Sequence, residues 1–106
     1  MNLPDSPCEL DPVALDKWND LVALVWDYAW NPATGDALAN YCVNWSRWQQ
    51  AEGEIAKTGA VVKSPSGYPI QNPYLSISNR AQAELRKWGR ICGITGPRRQ
   101  IEISED

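Results

Sequence analysis

Apolar residues recur at spacings of three and four in three separate stretches of the chain. Leu15, Trp18, Val22, Val25 and Ala29 share one face of a helix over roughly residues 12–30. At about 100° per residue, Asp16, Asp20 and Asp27 fall in a narrow stripe opposite that face. Asp11-Pro12 supplies an N-cap and a proline at the first helical position, and Asn31-Pro32 breaks the pattern. Leu38, Tyr41, Trp45 and Trp48 resume the same stepping, and Ile55 rejoins their face. This predicts a second helix that starts at Thr34 to Asp36 and is capped by Gly59. Glu52 falls inside the apolar arc, where a carboxylate needs a partner or water. Tyr74, Ile77, Ala81, Leu85, Trp88 and Cys92 mark a third helix, opened by Asn72-Pro73 and ended by Gly93.

Between the second and third helices, Ala60-Val61-Val62-Lys63 and Tyr68-Pro69-Ile70-Gln71 flank Ser64-Pro65-Ser66-Gly67. That is the pattern of a small β-hairpin or an extended loop, with Pro69 tolerated only on an edge strand. The predicted fold is all-α: an antiparallel helical hairpin plus a third helix, with the hairpin or loop between helices two and three. Residues 1–10 read as a flexible N-terminal arm, 11–95 as the helical domain and 96–106 as a C-terminal tail.

Composition narrows the function classes. A chain of 106 residues is one domain with a modest core. Its most apolar run, Leu21 to Trp26, is too short to span a bilayer, so no membrane partner is expected. Met1-Asn2-Leu3-Pro4-Asp5 offers neither a basic region nor an apolar signal core. Cys8, Cys42 and Cys92 are odd in number and widely spaced, and there is no histidine. A disulfide framework, a metal site or a cofactor is not expected, and a reducing cytoplasm suits the thiols. Without histidine there is no conventional Ser-His or Cys-His nucleophile pair, and no Walker A loop is present, so the expectation is a non-enzyme.

Charge and aromatic content add two signals. Residues 1–53 carry two basic residues against eight acidic ones, a net of −6, whereas residues 54–106 carry a net of +3. Such asymmetry marks either a charged partner, head-to-tail association or simply two solvated faces. Arg80, Arg86, Lys87 and Arg90 cluster on the far side of the third helix, and Arg98-Arg99 follows. Cations in such an arc displace counterions from DNA phosphates; an acidic helix of a neighbouring subunit would also suit them. Six tryptophans and no phenylalanine are present, five of them (Trp18, Trp26, Trp30, Trp45, Trp48) in the first half. Trp18, Trp26, Trp45 and Trp48 are therefore candidates for core or subunit packing.

The order of motifs resembles a family. Leu15 to Trp18, Tyr41-Cys42 with Trp45 and Trp48, Ser64-Pro65-Ser66-Gly67-Tyr68, Asn72-Pro73, and Gly93-Ile94-Thr95 with Pro97 and Arg99 follow one another as in the compact helical small subunits of phage terminases. The resemblance runs through about residues 10–100. It implies a non-catalytic, ring-forming homo-oligomer in the host cytoplasm. Such a subunit binds viral double-stranded DNA at the packaging start site, then recruits and regulates the large terminase ATPase-nuclease. It would use Arg80, Arg86, Lys87, Arg90, Arg98 and Arg99 for phosphate contact. The alternative is a phage or satellite adaptor that binds the large terminase, or another partner, without reading DNA.

Overall fold

A computed structural model describes residues 3–94. Arg98 and Arg99 lie outside the described residues. The elements are α1 (Pro12–Ala29), α2 (Pro32–Thr58), β1 (Val61–Lys63), β2 (Pro69–Gln71) and α3 (Pro73–Cys92). The all-α expectation therefore holds, with a two-stranded antiparallel hairpin between α2 and α3. In that hairpin Val61 faces Gln71, Val62 faces Ile70 and Lys63 faces Pro69. Gly67 turns the chain at φ +92°, and its N–H donates to Ser64 O at 2.8 Å.

All three helices start at an Asx-Pro pair. The Asx side chain satisfies first-turn amides that have no helical partner, and the proline occupies a position whose N–H is not needed. Asp11 Oδ1 accepts from Ala14 N–H at 2.8 Å. Asn31 Oδ1 accepts from Ala33 and Thr34 N–H, while Thr34 Oγ1 accepts from Asn31 N–H, closing a capping box. Asn31-Pro32 thus both stops α1 and starts α2. For this reason α2 begins at Pro32, ahead of the expected Thr34–Asp36, and only Trp30 and Asn31 link the two helices. The tight link seats Trp30 over Gly35, where any Cβ would lie 2.9 Å from Trp30 Cη2.

The long α2 is the central element, with α1 along its first half. Asp11, at the start of α1, accepts a hydrogen bond from Ser46 Oγ at 2.8 Å, so α1 and α2 run antiparallel and α1 covers α2 no further than about that point. From α1, Ala14, Trp18, Val22 and Val25 are buried. Leu15, expected on this face, is 45% exposed, because the stripe is centred on Ala14 and Leu15 is turned about 100° away. From α2, Ala37, Leu38, Ala39 and Cys42 complete the core, and Cys92 at the end of α3 closes it.

Past Ser46, α2 is partnered by α3. Asn72 donates to Thr58 Oγ1 at 2.8 Å and to Gly59 O at 2.7 Å, latching the start of α3 to the end of α2. Ser78 Oγ donates to Glu52 Oε2 at 2.5 Å and accepts from Gln82 Nε2 at 3.1 Å. The carboxylate in the apolar arc has therefore found its partner within the chain.

Candidate nucleic-acid interface

The candidate interface is built on α3. Its inner face packs on α2 through small residues: Ser78, Ala81, Gly89 and Cys92 are buried. Leu85 and Trp88 are half-buried beside them, and Ile77, expected inside, is 43% exposed. The outer face holds Arg86, Lys87 and Arg90, with Arg80 at the edge that faces α2, and all four are exposed. Arg86 and Arg90 are one turn apart, the spacing at which like charges repel along a helix. Lys87 folds back so that its Nζ lies 4.6 Å from the centre of the Trp88 ring, while Trp88 Nε1 donates to Glu84 at 2.8 Å. Among the described residues the one ion pair is Lys57–Glu54 at 3.6 Å. The four cations of α3 thus have no carboxylate partner within the described chain.

Arg80 stands apart from the other three. It lines a groove of about 390 Å³ between α2 and α3, opposite Arg47 of α2. Ile77, Ala81 and Trp88 give this groove an apolar floor, with Asn40, Asn44 and Glu84 also on its walls. Sequence reasoning misses Arg47, which counts there only as one of two cations in an acidic half. Its signal is its place off the apolar face of α2, which means little until α3 is known to return alongside. Arg86, Lys87 and Arg90 do not line the groove.

The tryptophans occupy different settings. Trp18 is 2% exposed, and its Nε1 donates to Pro4 O at 3.3 Å, bringing the N-terminal arm onto α1. Trp26 is half-buried, its ring 5.6 Å from that of Trp30. Trp45 and Trp48 are half-buried and edge-packed at 5.3 Å, with Lys17 Nζ 3.9 Å over the Trp45 ring. Trp48 Nε1 is buried without an acceptor among the described residues.

The remaining chemistry is sparse. Burial pushes the Cys42 thiol up to about 12, with Cys92 beside it adding to the shift, and burial raises Cys92 as well. Neither forms a thiolate near neutrality. Among the described residues no group of three or more His, Cys, Asp or Glu side chains is placed to hold a metal, and no helix is long and apolar enough to cross a membrane.

A family described as phage terminase, small subunit, matches residues 14–104 of the chain. No curated protein and no solved structure matches it.

Proposed function

The chain belongs to the family of phage terminase small subunits, and from that premise we propose how it serves genome packaging. It binds viral double-stranded DNA as a homo-oligomer in the host cytoplasm and recruits and regulates the large terminase subunit, without catalysis of its own. The observation that carries the DNA-binding part is the exposed outer face of α3, where Arg86, Lys87 and Arg90 have no carboxylate partner among the described residues. Three like charges on one helical face destabilise each other, and a polyanion relieves that repulsion while releasing its own counterions. One such patch is weak. Repeated around a multimer it gains avidity because each further contact is intramolecular. Arg98 and Arg99 would supply two further cations to the same polyanion.

The test is a salt titration on duplex DNA. Replacing Arg86, Lys87 and Arg90 together by Ala weakens binding and flattens the log–log salt slope by about 0.9 for each phosphate no longer neutralised. Identical slopes for parent and variant place DNA contact elsewhere. A second reading rests on the acidic first half and on the exposed Val61, Tyr68 and Ile70 of the β-hairpin, which suit a protein partner. A parent that does not bind duplex DNA even at low salt transfers the proposal to that adaptor role.

A further inference from the structure

Two unsatisfied surfaces of the molecule are complementary to each other. The first is the outer face of α1. Asp16, Asp20 and Asp27 are exposed there with no basic partner among the described residues. Val13 and Leu24, 44% and 55% exposed, lie along one edge of this acidic stripe. The second is the α2–α3 groove, with Arg47 and Arg80 on opposite walls and Ile77 and Trp88 on its floor. The two surfaces cannot meet within one subunit. α1 is held against α2 through Trp18, Val22 and Val25 and by the Asp11–Ser46 contact, and no residue of α1 lines the groove.

We propose that α1 of one copy docks its acidic stripe in the α2–α3 groove of a second copy. Arg47 and Arg80 receive the carboxylates, and Ile77 and Trp88 cover Val13 and Leu24. The inference rests on the self-association in the reading above and names the surfaces that make it. A second copy fits this groove better than a DNA backbone does. Phosphates would leave the exposed Ile77 uncovered, whereas an acidic stripe edged with apolar side chains meets both the cations and the floor. The contact joins two different patches, so it is head-to-tail and propagates to a closed ring or an open filament. It also gives the cations of α3 separate roles. Arg80 serves assembly, and Arg86, Lys87 and Arg90 stay outside the groove.

Charge reversal tests this pairing, with native mass and sedimentation read at micromolar concentration and circular dichroism confirming the fold. Asp20→Lys and Arg80→Glu should each raise the concentration at which the multimer dissociates by at least about tenfold, because each sets like charges against each other. Mixing the two variants, or combining both changes in one chain, should recover assembly, since every reversed stripe then meets a reversed groove. If either reversal disturbs the fold, Asp20→Asn and Arg80→Gln take its place, with a smaller weakening of about threefold expected. A multimer that is indifferent to these changes, or two weakened variants that do not rescue each other, overturns the interface while leaving self-association standing. A parent that stays monomeric overturns both. Arg86→Ala in the same assay should leave assembly unchanged.

Discussion

The two ends of α2 are held by different physics. Around its first half, Trp18, Val22, Val25, Leu38 and Cys42 exclude water together, and α1 and the last turn of α3 both contribute. Around its second half the fully buried residues, Ala51, Asn72, Ser78 and Ala81, are small or polar, and the larger apolar side chains, Trp48, Ile55 and Leu75, are only half-buried. Directional hydrogen bonds hold that end as well: Asn72 to Thr58 and Gly59, and Ser78 to Glu52. A hydrophobic core tolerates small displacements and contributes in proportion to its area, whereas a polar latch is directional and contributes little net once competition with water is counted. The difference predicts one end that sets global stability and another that opens first.

Trp18→Ala probes the first end and should have the largest effect. It removes a side chain that is 2% exposed, so a loss of about 3–5 kcal/mol is expected in denaturant unfolding. Asn72→Ala probes the second. It deletes the N-cap of α3 and both donors to the end of α2, at a cost of about 2–3 kcal/mol. Hydrogen exchange sharpens the comparison, because Asn72→Ala should accelerate amides in residues 51–58 and 73–80 far more than those around Val22 and Leu38. Uniform acceleration along the chain would mean that the two ends unfold as one unit.

The two ends also differ in how much of them is legible in the sequence. The stepping of Trp18, Val22 and Val25 locates the apolar end because area burial leaves a periodic trace. Its error at Leu15 is one of centring: alanine is apolar enough to hold the middle of a stripe but too small to announce it. The polar end leaves less. Asn72-Pro73 signals a cap, yet the reach of the Asn72 amide back to Gly59 depends on where the hairpin returns the chain. Glu52 stands out as misplaced, and its partner Ser78, 26 residues away, is an unremarkable serine until α3 lies alongside. The same holds for the candidate site. The arc of Arg86, Lys87 and Arg90 is a helical-spacing pattern within one element, whereas the Arg47–Arg80 groove is made by two elements. Periodicity along a single helix carries no information about a groove of that kind.

Asp11 lies at the seam between the two ends, and it offers the smallest and most specific test. Its carboxylate caps α1 through Ala14 N–H and holds Ser46 of α2 through both oxygens. The Ala14 amide and then the Ser46 hydroxyl stabilise the charged form, so its pKa lies below the ordinary value of 3.8. A depressed folded value means that the unfolded chain takes up the proton first as pH falls. The stabilisation is fully present above the unfolded value and is lost as pH drops through the lowered folded one. Asp11→Ala removes the cap and the link to Ser46 at any pH and should cost about 1 kcal/mol at neutrality. Asp11→Asn keeps a capping oxygen but no titrating charge, so it should lose less. Its deficit relative to the parent should be constant from neutrality down to about pH 5 and shrink below the ordinary carboxylate value, as the parent's own Asp11 becomes protonated. Denaturant unfolding of the three proteins between neutrality and about pH 2 measures this directly. A deficit that does not change with pH would assign the effect to shape alone, and the seam would then be held by the cap without its charge.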